Sequence, residues 1–79
     1  MSIADKLHNA RSILSDYRRH GEKLWYRFAG RRNGTLWYYR TLTSAFEARR
    51  LELGDGGAQA LDELRSVVGE LERRASANA

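Results

Sequence analysis

No proline interrupts this chain, and its glycines gather at Gly21, Gly30, Gly34 and Gly54–Gly57. Proline breaks helices most strongly and glycine next. The stretches left between the glycines are of helix length, and no alternation of apolar and polar residues lasts long enough to build a sheet. The expected fold is therefore all-α, with four helices near Ile3–Arg19, Glu22–Phe28, Thr35–Leu51 and Ala58–Ala75.

Local signals place each element. Ser2 sits where a helix N-cap is expected, with Asp5 three residues on in the manner of a capping box. Leu7, Ala10, Leu14 and Tyr17 recur at helical steps and give an apolar stripe, while Asp5, Asn9, Ser12 and Asp16 give a polar one. Gly21 ends this element. The short segment "EKLWYRF" presents Leu24, Trp25 and Phe28. "GRRNG" reads as a loop, since Asn-Gly favours a turn, and Thr35 suits the N-cap of the next helix. There Leu36, Tyr39, Leu42 and Phe46 share a face. "GDGG" is expected to break the chain again before a seam of Leu61, Leu64, Val68, Leu71 and Ala75. Residues 1–75 make one helical domain, and the ending "SANA", residues 76–79, is expected to be a flexible tail.

Composition narrows the function classes. There are no cysteines, which removes disulfides and thiolate metal sites and agrees with a reducing compartment. No apolar run approaches the ~20 residues that span a bilayer, and Asp5 and Lys6 interrupt any signal-peptide pattern. A cytoplasmic protein without a membrane partner is expected. The net charge of +4 allows attraction to phosphate groups. The arginines, however, are dispersed in pairs (Arg18-Arg19, Arg31-Arg32, Arg49-Arg50, Arg73-Arg74), a pattern of solvated helix faces rather than of a nucleic-acid partner. Trp25, Trp37, Tyr38, Tyr39 and Phe46 suggest a stacking platform for bases, but their helical spacing assigns them to a core.

One stretch carries chemistry. "ADKLHN", Ala4 to Asn9, packs an acid, a base, an imidazole and an amide into an otherwise apolar run. It resembles the last metal-ligand motif of the HD-superfamily phosphohydrolases, in the branch of the guanosine tetraphosphate (alarmone) hydrolases. The downstream "GEKLWYRFAGRRNGTLWYYRTLTSAF" is similar to bacterial members, and the resemblance covers Ile3 to about Arg50. In that family a divalent ion, usually manganese, activates a water against phosphorus and neutralises the developing charge. The resemblance makes Asp5 the final metal ligand and Asn9 a residue of the nucleotide pocket. Lys6 is a further nucleotide-binding candidate, and His8 occupies the motif's histidine position. The i, i+4 spacing aims Asp5 and Asn9 the same way.

The departure from the family is equally marked. Its first His, its His-Asp doublet and its Glu-Asp pair all precede this motif, where the present chain has only Met1 and Ser2. Neither His8 nor His20 is followed by Asp. The expectation is a C-terminal half of an HD-type domain that binds no metal alone and is inactive alone, working with a complementary half-domain if at all. The alternative is a small helical, homodimeric interaction module without catalysis; a third and weaker reading is nucleic-acid binding through the basic surface, which steep salt dependence would mark. A helix deprived of the parent domain's neighbours would leave Leu7, Ala10, Ile13 and Leu14 partly bare, together with some of the aromatics after Thr35. Each large side chain so exposed forgoes about 1.5–3 kcal/mol. That is a large loss for so small a domain, and two-fold pairing is its commonest remedy. A homodimer is expected, with the Leu61–Ala75 seam as a second surface.

Overall fold

The computed structural model describes residues 2–77. Among them are three α-helices and no strand: α1 (Ile3–His20), α2 (Arg31–Ala48) and α3 (Gly54–Ala77). A 3-10 helix, Gly21–Arg27, joins α1 to α2, and a single 3-10 turn, Arg50–Glu52, joins α2 to α3. The fold is all-α as expected, but the second of the four expected helices is wound as 3-10. At seven residues it is too short to be stable on its own. It is held instead by its contents, since Leu24 and Trp25 are both buried.

Ion pairs reveal the helix directions. Arg11 pairs with Glu63 and Arg18 with Glu70, both across 52 residues, so α1 and α3 run parallel. Arg40 pairs with Glu72, Arg65 with Glu47, and Arg50 with Asp62, so α2 runs antiparallel to α3. The result is an up-down-up bundle. Leu7, Ala10, Leu14 and Tyr17 of α1 and Leu64, Val68, Leu71 and Ala75 of α3 share one core with Trp25, Leu36 and Tyr39. The heptad-like steps of both helices explain the match, because 3- and 4-residue spacing keeps each stripe on one face.

This core removes the premise on which pairing through α1 was expected. Leu7, Ala10, Ile13 and Leu14 are each 7% exposed or less within a single chain, because α3 and the 3-10 helix cover them. The Leu61–Ala75 seam is likewise consumed internally, with Leu61, Leu64 and Leu71 fully buried.

Several boundaries differ from the sequence reading for local reasons. Ser2 occupies the α1 N-cap with extended backbone, but its side chain makes no capping bond. Its carbonyl accepts the Lys6 N–H instead, at 3.3 Å. Gly21 ends α1 as expected. Its φ of +62° puts it in the region that favours glycine, and its N–H reaches the Tyr17 carbonyl. The turn expected at Asn33-Gly34 moves upstream. Gly34 donates to the Gly30 carbonyl at 2.9 Å, so both residues lie in the first turn of α2. Arg31 takes the left-handed backbone instead, at φ +56°. Thr35 is consequently no cap but a buried residue inside the helix. "GDGG" does not break the chain either, since α3 begins at Gly54 and runs through it. Gly57 is required there: a Cβ would lie 2.6 Å from the Leu53 Cβ, so the residue before α3 can fold back over its first turn. At the other end α3 continues through Ser76 and Ala77. The last two residues of the expected tail lie outside the described residues.

Candidate functional site

The polar stripe of α1 lies opposite the face that α3 covers. Asp5, His8 and Asn9 are all exposed on it. Asp5 and Asn9 stand one helical turn apart on the same side, as their spacing requires. Asp5 also differs electrostatically from the other acids of the chain. Among the described residues, every aspartate and glutamate except Asp5 and Asp55 is engaged in an ion pair with an arginine. Asp16, on the same stripe three turns farther along, is taken by Arg27 at 2.8 Å, and this guanidinium lowers its pKa.

Lys6 takes a different direction. Its ammonium lies 5.4 Å from the centre of the Tyr38 ring on α2. The neighbouring Tyr38 phenol, foremost among its surroundings, raises the Lys6 pKa. Tyr38 in turn meets Tyr39 edge-on, at 5.1 Å between centroids. Burial pushes the Tyr39 hydroxyl pKa up, against the opposing influence of Lys6. The cation is thus anchored on α2, between the polar stripe of α1 and a shallow depression of about 270 Å³ whose walls include Phe28, Gly30, Gly34 and Tyr38. The structure therefore brings Asp5 and Asn9 onto one face and turns Lys6 aside toward the aromatics.

Among the described residues Asp5 does not meet further metal ligands. Among the described residues no group of three or more His, Cys, Asp or Glu side chains comes together. A divalent ion needs several such donors in one place, so the residues present do not fit the family's metal.

A polar group that links three elements lies elsewhere. Glu22, in the 3-10 helix, accepts hydrogen bonds from the Tyr17 hydroxyl at 2.7 Å and the Trp25 indole N–H at 2.9 Å, with Arg32 at 3.9 Å. The Tyr17 bond, then the Trp25 bond and the Arg32 charge, hold its pKa below the ordinary carboxylate value. This cluster ties α1, the 3-10 helix and α2 together around the Tyr17–Trp25 ring pair. Its role is structural, and sequence reasoning did not find it: Glu22 appeared only as the start of a helix, and the i, i+3 relation to Trp25 was its one readable signal.

The aromatics divide. Trp25 and Tyr39 are buried and Phe46 is half-buried, as expected of core residues. Trp37 and Tyr38 are not core: they are 61% and 39% exposed, because Leu36 and Tyr39 take the inward positions of α2. Leu51, at 98%, stands almost wholly in solvent. Comparison with protein-family models, with curated proteins and with solved structures returns no match. Among the described residues no helix is long and apolar enough to cross a membrane.

Proposed function

We propose that the outer face of α1 is one wall of a phosphohydrolase-type nucleotide site of the guanosine polyphosphate class, and that the chain does not turn over such a substrate alone. The observation that carries this reading is the pairing of Asp5 and Asn9. They are an exposed carboxylate and amide on one face, and among the described residues the carboxylate has no arginine partner. Their residue types and spacing resemble the last motif of the HD phosphohydrolases. A carboxylate in that position offers one anionic donor, and the amide can donate to and accept from a nucleotide base. The remaining ligands of an HD-type ion would come from a complementary half-domain. The test mixes the purified chain with manganese and guanosine tetraphosphate, with and without an HD-domain half that carries the His and His-Asp ligands. Turnover is expected only in the mixture, and Asp5→Asn is expected to abolish it. Turnover by the chain alone that is lost in Asp5→Asn, or a mixture that stays inert, would overturn the reading.

A second reading, a helical interaction module with no chemistry of its own, is favoured by the solvent exposure of Trp37, Tyr38 and Leu51. Trp37 and Tyr38 are adjacent on the surface of α2, and exposed apolar side chains that adjoin one another are what a contact surface offers.

A further inference from the structure

The net charge of the chain lies at one end of the bundle. Between Asp16 and Arg32 six lysines and arginines stand against two acids, a surplus equal to the whole net charge of +4, and the rest of the chain is balanced. In sequence the paired arginines are dispersed as four doublets. The fold splits three of them, because neighbouring side chains point different ways, about 100° apart on a helix. Arg18 pairs with Glu70, Arg32 with Glu22 and Arg74 with Glu70. Their neighbours Arg19, Arg31 and Arg73 are exposed and, among the described residues, have no acidic partner. These three stand where α1 ends, α2 begins and α3 ends, and the helix directions put those termini at the same end of the bundle. The fourth doublet, at the opposite end, is fully paired: Arg49 with Glu52, and Arg50 with Glu47 and Asp62.

The 3-10 helix between α1 and α2 arranges this surface. At three residues a turn, side chains three apart stand in line. Glu22 and Trp25 form a line bonded into the fold, whereas His20, Lys23 and Tyr26 form one that is exposed along its length. His20, Lys23 and Arg27 border a hollow of about 220 Å³ beside Leu24. Lys23 has no acidic partner among the described residues. Arg27, and with it Arg19 and His20, lowers the Asp16 pKa, so these groups crowd around one carboxylate. At the far end of the line the Tyr26 ring is 76% exposed, and the Arg31 guanidinium lies over it, 5.0 Å from its centre. Arg31 also donates to the Tyr26 carbonyl at 3.4 Å.

We infer that this edge binds single-stranded nucleic acid, with Arg19, His20 and Lys23 on the phosphates and the Tyr26–Arg31 pair against a base. Cations alone attract any polyanion. An exposed ring in line with them, with a guanidinium stacked on it, adds affinity only for a ligand that also carries flat faces, and a duplex hides those faces in its own stack. Binding of this kind tolerates any base sequence and weakens with salt. It is independent of the Asp5–Asn9 wall and of the Trp37 surface, and its failure would leave both standing.

The experiment is fluorescence anisotropy of a short labelled oligothymidylate titrated with the full chain and with Lys23→Glu, Arg19→Glu, Tyr26→Ala and Arg49→Glu, at several salt concentrations, with helicity followed by circular dichroism. All four positions are exposed, so helicity should stay unchanged. Three cations on phosphates give a slope of about −2 for log affinity against log salt. Lys23→Glu and Arg19→Glu are each expected to weaken binding by about tenfold. Tyr26→Ala should cost about tenfold as well, the loss of one stacked base. Arg49→Glu makes the same change of charge at the opposite end and should leave affinity within about twofold at physiological salt. No binding at low salt, or an equal loss in Arg49→Glu and Lys23→Glu, would overturn the surface. Competition by inorganic polyphosphate as strong as by unlabelled oligothymidylate, with Tyr26→Ala unaffected, would overturn nucleic acid as its ligand. A duplex that competes equally would overturn the single strand.

Discussion

The two helices that pack on α3 do so in different ways. α1 meets it along a regular seam, flanked by two ion pairs of identical register, Arg11–Glu63 and Arg18–Glu70. Its apolar stripe is buried almost completely. α2 meets α3 with only part of its apolar content: Leu36 and Tyr39 are buried, Leu42 and Phe46 are partly so, and Trp37 and Tyr38 remain outside. The chain thus spends its best-matched surface on joining α1 to α3 and keeps a second apolar surface on α2 uncovered. One surface makes the fold, and the other is free for contact.

The contrast is broken most forcefully at the seam. Leu71→Ala removes a fully buried side chain from the C-terminal half of α3. It is expected to cost about 2–5 kcal/mol, enough to unfold most of a domain this small, as denaturant titration would register. By comparison Trp37→Ala, on the open face, serves as a control that leaves the unfolding midpoint of the monomer in place. A smaller effect is expected from Glu22, which links α1 to α2 rather than α1 to α3. Its folded pKa lies below its unfolded value. Its contribution is therefore complete above the ordinary glutamate range and is lost as pH falls through the folded value. Thermal melts of the unchanged chain should lose stability below about pH 4.5, and Glu22→Gln should flatten that loss. Because the Glu22 side chain is 42% exposed, solvent screening keeps the effect modest. The smallest effect is expected from Arg18→Ala, which removes one flanking ion pair. Both partners are substantially exposed, so the loss should be at most about 1 kcal/mol and should fade at high salt in melts run at two ionic strengths.

Much of this division was readable in the sequence. The stripes Leu7-Ala10-Leu14-Tyr17 and Leu61-Leu64-Val68-Leu71-Ala75 announced two amphipathic helices, and both bury those residues. What the stripes could not announce was that they bury against each other: periodicity identifies a face but not its partner, and the sequence reading looked for that partner outside the chain. Glycine was over-read as punctuation. At Gly34, Gly56 and Gly57 the helix continues, since near a first turn the glycine cost is small and close packing, as at Leu53 and Gly57, can require the missing Cβ. Asp5 and Asn9 fell on one exposed face because i, i+4 spacing leaves no other outcome for a helix. Lys6 departed from them because it sits one residue after Asp5, about 100° farther round, within reach of Tyr38.

The parallel pairing of α1 with α3 also has a consequence for the order of assembly. The ion pairs of α2 with α3 begin across 18 residues, at Glu47–Arg65, whereas those of α1 with α3 close a loop of 52. That is about one and a half doublings of loop length, each adding about 0.6 kcal/mol of closure entropy. The α2–α3 hairpin is therefore the cheaper nucleus, and α1 is the element that docks last. It is also the helix that bears Asp5 and Asn9. Asp5 and Asn9 thus ride on the part that docks last, while Trp37 belongs to the part that forms earliest.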